Sequence, residues 1–188
     1  SQREEGPEPV ARLVVRAKAV GSRVGDMLGI VRDALTLARF DDRERFRQML
    51  LEEKAGLEHA LVPSGHHFVG LRLRSRFNLA DSLQERMGGV ENLLFLRELA
   101  GRVDSDWNGV LADLEALRQA VVRQGAAVVN LTMDEAMLSA NEGRFVEFVA
   151  ALPDARPAAA SWSEVRGADH EGLVVPAQVN YVGKVCDL

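Results

Sequence analysis

Cysteine is almost absent from this chain of 188 residues, and the single Cys186 can form neither an internal disulfide nor a cysteine-based zinc site. Long apolar runs are missing as well, since no stretch approaches the roughly 20 residues that a helix needs to cross a bilayer. Positive charge is not in excess, because the formal net charge is −5. These absences predict a protein from a reducing compartment that binds no nucleic acid and enters no membrane.

The composition that remains is that of a folded globular chain. It is 47% hydrophobic and 27% charged, and its length is enough for one domain with a real core. Residues 1–10 are acidic and contain proline, so they are expected to be a disordered start or the stump of a loop and not a signal peptide.

Apolar residues recur at helical spacing along most of the chain. The spacing predicts helices over residues 22–38, 42–61, 66–77, 79–87, 90–99, 105–122 and 139–152. The helix from Val90 is apolar nearly all round, which predicts burial between layers. Gly88 and Gly89 precede it, and glycine's freedom to take a positive φ predicts a corner between two packed helices there.

Three other segments have the pattern of β-strands. Residues 11–18 and Val174–Val182 alternate between apolar and polar side chains, and Ala126–Met133 is a short β-rich run. The order is strand, helices, strand, helix, a linker at 153–172 rich in proline, alanine and glycine, and strand. The predicted fold class is therefore α+β, with strands that need partners outside this stretch because three isolated strands form no stable sheet.

No metal site is predicted from the four histidines, His59, His66, His67 and His170. Glu58-His59 matches the end of the zinc-peptidase pattern H-x-x-E-H, but Ala55 stands where the first histidine belongs. His66 and His67 are adjacent, so on a helix they point about 100° apart and are poor joint ligands.

Nucleophilic and phosphate-binding motifs are not found either. No G-x-S-x-G occurs, and Cys186 has no identifiable base. Ser64-Gly65-His66 is explained by one helix ending and another beginning, and the glycines at 21, 25 and 29 follow no P-loop template. We therefore predict no catalytic, cofactor-binding or metal-ligating residue in this chain.

An ordered set of stretches nevertheless resembles one family, the presequence proteases, which are the oligopeptide-degrading branch of the pitrilysin/insulysin zinc metallopeptidases. Met87-Gly88-Gly89 and Gln178 to Lys184 carry the most specific part of the resemblance. The full set is Val14–Ala19, Arg43–Gln48, Pro63–His66, Glu85–Gly89, Leu94–Arg97, Val103–Trp107 and Val175–Lys184.

The resemblance implies a place in a larger enzyme, a closed clamshell of four similar two-layer α/β domains. Residues 11–152 resemble the later part of the third domain, 153–172 a linker, and 173–188 the first strand entering the fourth. The family's zinc motif lies in the first domain and its substrate-binding Arg and Tyr lie downstream in the fourth, so neither maps onto this chain. Tyr181 belongs to the strand and is not that tyrosine.

The function implied is that of a non-catalytic part of a zinc metalloendopeptidase that degrades unfolded peptides, such as cleaved targeting peptides, in an enclosed chamber. Zinc would be held by ligands outside this chain, and the partners would be the remaining domains and the peptide substrates. The expected compartment is the mitochondrial matrix, the plastid stroma or the bacterial cytoplasm. Two alternatives stay open: a structural or chaperone-like non-catalytic homologue, and a free-standing helical interaction module.

Overall fold

The computed structural model describes residues 12–154, 170–176 and 178–186. The predicted disordered start at 1–10 and most of the predicted linker lie outside these residues. Within the described ranges the chain forms α-helices, with short 3₁₀ turns at Gly21–Arg23 and Gln124–Ala126. The helices are α1 (Val24–Thr36), α2 (Arg43–Leu61), α3 (Gly65–Arg74), α4 (Leu79–Gly88), α5 (Val90–Ser105), α6 (Trp107–Val121) and α7 (Glu135–Ala150).

Residues divide between two compact units, and the first contains Arg43–Trp107 together with the described residues from 170 onward. Here α5 packs against α2 and α4, while α3 packs against α4 and α2. The buried side chains follow the three- and four-residue spacing that places them on one face of each helix. They are Leu50, Phe68, Leu71, Leu83, Val90, Leu93, Leu96 and Val103.

The second unit contains residues 12–42 and 108–154. In it α1 packs against α7, and Val24, Val110, Val122, Phe145 and Leu152 are buried. Arg118 ties α6 to the chain after α1, because its Nη1 donates to the Ala38 carbonyl at 2.7 Å and its guanidinium lies 5.2 Å from the centre of the Phe40 ring. The predicted domain boundaries at 11, 153 and 173 stay predictions.

The predicted α+β fold is wrong for the described residues, which contain helices and no strand. Residues 12–18, 127–133 and 174–182 (without residue 177) have no regular secondary structure, although all three had strand patterns. A strand exists only with a neighbour that completes its hydrogen-bond ladder, and the described residues offer none. Their apolar side chains are consequently exposed, as Val14, Val128 and Val174 show.

The predicted helices are present, but several details of the prediction are wrong, and one of them is the end of α5, which continues to Ser105 beyond the predicted residue 99. The last helix begins at Glu135 and not at Ser139, because the Asp134 carboxylate accepts from the backbone N–H of Met137 at 2.8 Å and caps the helix there. Helix α5 is not buried all round, since Leu94 and Phe95 are about half exposed at 53% and 54%. Within the described ranges, no helix combines the length and the apolar content that a membrane span requires.

Candidate functional site

Arg72 on α3 is the centre of the most extensive polar cluster in the first unit. Its Nη1 donates to Oε1 of Glu85 at 3.1 Å and to Oε1 of Glu91 at 3.0 Å. Its Nε and Nη2 donate to the two carboxylate oxygens of Glu171 at 2.8 and 2.9 Å. These hydrogen bonds to Glu171 raise the pKa of Arg72, so the guanidinium stays charged. We call Arg72, Glu85, Glu91 and Glu171 the ion cluster.

Glu85 links the ion cluster to the start of α5. Its Oε1 accepts from the backbone N–H groups of Val90 and Glu91, at 2.9 and 3.3 Å. These donors have no partner inside the helix, and a negative charge is favourable at a helix N-terminus. The side chain is nevertheless buried, with the residue 1% exposed, and burial raises the pKa of its carboxyl. Its Oε2 has no hydrogen-bond partner among the residues that the structure describes.

Gly89 makes this position of Glu85 sterically allowed. A Cβ at Gly89 would overlap Oε2 of Glu85 and would lie 2.8 Å from the Glu85 carbonyl oxygen. The backbone there is extended, with φ −99° and ψ −154°, so the expected positive φ is wrong and the reason for glycine is space. A Cβ at Gly88 would meet nothing within 4 Å, so Gly89 is the glycine that this corner needs.

A segment from the end of the chain lies along α3, and we call its described residues 170–176 and 178–186 the strap. Glu171 binds Arg72, as given above. Tyr181 packs its ring against Gly65 and donates its hydroxyl to the Val62 carbonyl at 2.5 Å. The strap thus joins two of the stretches that carried the family resemblance, Pro63–His66 and the Gln178 to Lys184 stretch.

A cavity of about 650 Å³ lies between α3 and the strap. Apolar side chains line most of it, with Leu61 at the end of α2 and Phe68, Val69 and Leu73 of α3 on one side and Leu173 and Val179 of the strap on the other. Arg72, Arg76, His170 and Glu171 line it too. The cavity combines an apolar wall with charged groups that already bind one another.

The residues weighed for metal or nucleophilic chemistry are not brought together. Glu58 accepts from Arg97 at 3.0 and 2.8 Å, and these bonds lower the pKa of its carboxyl. His59, His66 and His67 are exposed on α2 and α3, and His170 lies at the start of the strap. Across the described residues, no group of three or more histidine, cysteine, aspartate or glutamate side chains is placed to hold a metal ion.

The ion cluster was not predicted from the sequence. Glu85 stood inside a stretch that had been singled out, and an acidic residue just before a glycine-led helix start is a signal for a helix-capping carboxylate. The pairing of Arg72 with Glu171 carried no such signal, because 99 positions separate the two residues.

Comparison with known proteins identifies the class to which the chain belongs. It is a member of the peptidase M-16C associated family, whose model matches residues 1–99. Among curated proteins, it is 33% identical over 179 residues to "Presequence protease 1, chloroplastic/mitochondrial" of Arabidopsis thaliana, a match that covers 94% of this chain and 16% of that protein.

Two mitochondrial presequence proteases are also similar to it. That of Yarrowia lipolytica is 32% identical over 84 residues, and that of Danio rerio is 24% identical over 92 residues. These matches cover 45% and 49% of this chain, and 8% and 9% of those proteins. The resemblance to the presequence protease family is thereby confirmed, and the chain spans about a sixth, or less, of the length of these relatives.

Proposed function

We propose that this chain is a non-catalytic part of a zinc metalloendopeptidase that degrades unfolded peptides, such as cleaved targeting peptides, in an enclosed chamber. The observation that carries the proposal is the 33% identity to a presequence protease over 94% of the chain. The chain would supply wall and scaffold to the chamber. The compartment would be mitochondrial or plastid in a eukaryote, as in the names of the relatives, and cytoplasmic in a bacterium.

The bonding within the ion cluster supports a structural role. The Nε and both Nη atoms of Arg72 bind carboxylates, and Glu85 is committed to Arg72 and to two backbone N–H groups of α5. A catalytic acid or base must reach a substrate proton, and a group in this arrangement would first have to give up its partners. The cluster therefore stabilises the packing of α3, α4 and α5.

The described residues do not fit a zinc site, because no group of three or more histidine, cysteine, aspartate or glutamate side chains among them is placed to hold a metal ion. Only Glu58-His59 has part of the expected spacing, and Glu58 is occupied by Arg97 and lies 3.7 Å from Lys54 Nζ. Zinc belongs to this proposal only as a cofactor of the whole enzyme, with ligands outside this chain.

The exposed apolar side chains support contact with the remaining domains of the same protein. Residues 12–20 and 127–134 expose several large apolar side chains, which water does not favour. These are Leu13, Val14, Val15, Val20, Val128, Val129 and Leu131. Neighbouring domains would cover them, and unfolded peptides would be the substrates of the assembled enzyme.

Metal analysis and a peptide-cleavage assay test the proposal on the isolated chain and on the full-length protein that contains it. We expect the full-length protein to bind zinc and to cleave unfolded peptides, and the isolated chain to do neither. Zinc-dependent turnover by the isolated chain would overturn the proposed role. A full-length protein that binds no zinc would instead favour the structural or chaperone-like homologue.

A further inference from the structure

The strap is held on α3 by side chains at three places. Glu171 binds Arg72, Tyr181 reaches Val62 and Gly65, and Gly183 lies against Leu73 and Val69. None of the backbone–backbone hydrogen bonds found among the described residues joins the strap to a helix. A segment held only by side chains opens at lower free energy than one held by a backbone ladder.

The outward-facing side chains of the strap add little to its attachment. Val174 and Val182 are almost fully exposed, at 101% and 94%, so docking removes almost no apolar area from water at these positions. The attachment therefore depends on the Arg72–Glu171 pair, on the hydrogen bond from the Tyr181 hydroxyl to the Val62 carbonyl, and on the close approach at Gly65 and Gly183. Arg76, with its Nη2 3.9 Å from Glu171, adds a second positive charge near the same carboxylate.

Each close approach requires a glycine. A Cβ at Gly65 would overlap the ring of Tyr181, and a Cβ at Gly183 would lie 2.5 Å from Leu73 Cδ1 and 2.6 Å from Val69 Cγ1. Neither glycine has a positive φ, so what each supplies is space for the opposite surface. Gly65 leaves a notch in the surface of α3 that the ring of Tyr181 fills. Gly183 leaves a similar space on the strap, which Leu73 and Val69 of α3 fill.

We propose that the strap is a releasable cover over the cavity on α3, docked through the glycine notch at Gly65 and latched by the Arg72–Glu171 ion pair. Opening frees one wall of the cavity and exposes its apolar lining, with Arg72 at its edge. The device does not depend on whether the whole protein is a peptidase, because it rests on contacts within the first unit.

The rate at which a half-buried thiol beneath the strap reacts is a measure of strap opening. The reporter is Val69→Cys, which lies under Gly183, in a Cys186→Ser background so that the native exposed thiol is absent. A second reporter, Val103→Cys, is placed in the 0% exposed core of α5 and reports unfolding of the unit. Both reporters are made in the full chain and reacted with a bulky maleimide.

Gly65→Ala should open the strap without weakening α3. The new Cβ collides with Tyr181, whereas alanine improves the intrinsic helix propensity. Gly70→Ala is the matched control on the same helix, since its Cβ would lie 3.5 Å from Arg74 Nη1, an ordinary contact. We expect Gly65→Ala to raise the reaction rate at position 69 about tenfold or more, as loss of one well-formed contact would. Gly70→Ala should leave that rate unchanged.

Glu171→Gln tests the latch separately, because it removes the charge and keeps the shape. It should raise the rate at position 69 by about tenfold, whereas Glu98→Gln, on the exposed face of α5, should not. The thiol at position 103 should react far more slowly than the thiol at position 69 in the parent and in all four variants, because it becomes accessible only when the whole unit unfolds. The proposal is overturned if Gly65→Ala leaves the rate at position 69 within twofold of the parent, or if the two reporters react at the same rate. It also fails if the thiol at position 69 of the parent reacts as fast as in urea.

Discussion

Glu85 and Gly89 show how one buried carboxylate determines the residue opposite it. The carboxylate caps α5 and binds Arg72, and in that position it occupies the space where a Cβ of Gly89 would lie. The sequence indicated a corner at the paired glycines, and the corner is there. The reason for it was missed, because the periodicity of α4 gives no sign that Glu85 turns inward, and the position of Glu85 just before a glycine-led helix start was the only signal for a capping carboxylate.

Alanine substitutions at the two glycines should therefore have opposite effects. Gly89→Ala displaces Glu85 from the helix cap and from Arg72, and we expect it to lower the free energy of unfolding by about 2–4 kcal/mol. Gly88→Ala enters open space at the end of α4 and should be neutral or stabilising, by up to about 1 kcal/mol. Urea unfolding of both variants measures the difference, and equal losses would show that this reading of the corner is wrong.

At the scale of elements, the helices could be predicted from the sequence, whereas the predicted strands are not formed in the described residues. Helical periodicity is set within one segment, so α2, α4 and α6 lie close to their predicted ranges. Residues 66–77, which were predicted to be helical, form α3 from Gly65 to Arg74. A strand depends on a neighbour elsewhere, so the alternation in residues 11–18 and Val174–Val182 indicated an apolar surface without supplying the sheet.

The ion cluster joins α3, α4, α5 and the strap, and two of its carboxylates should give the fold opposite pH dependences. Burial raises the pKa of Glu85 above its ordinary value of 4.5, so its stabilising contribution is present below that value and is lost as the pH rises through the raised pKa. Hydrogen bonds from Arg72 lower the pKa of Glu171, so its contribution is present above 4.5 and is lost as the pH falls through the lowered pKa.

Urea unfolding between pH 3 and 8 separates the contributions of Glu85 and Glu171. The quantity compared is the free energy of unfolding of the parent minus that of the variant. For Glu85→Gln this difference should shrink as the pH rises above 4.5. For Glu171→Gln it should shrink as the pH falls below 4.5. Two differences that change in the same direction would contradict the assigned environments.

At the scale of the whole molecule, the family could be predicted from the sequence. No catalytic site was expected in this chain. Short stretches such as Met87-Gly88-Gly89 and Gln178 to Lys184 indicated the presequence protease family, and membership of the peptidase-associated family agrees with them. The matched stretch is 16% of the length of the Arabidopsis relative, and the described residues contain no group of three or more histidine, cysteine, aspartate or glutamate side chains that could hold a metal ion. The central claim is that this stretch supports an enzyme whose catalytic groups lie elsewhere in the protein.

The most direct test replaces the one pair in this chain whose spacing resembles a zinc-peptidase motif. The double variant Glu58→Gln/His59→Ala is made in the full-length protein, and its bound zinc and kcat are measured together. Because Glu58 is bonded to Arg97 and His59 is exposed on α2, we expect zinc content and kcat to stay within about twofold of the parent. Loss of bound zinc, with an unchanged circular dichroism spectrum and melting temperature, would contradict the claim.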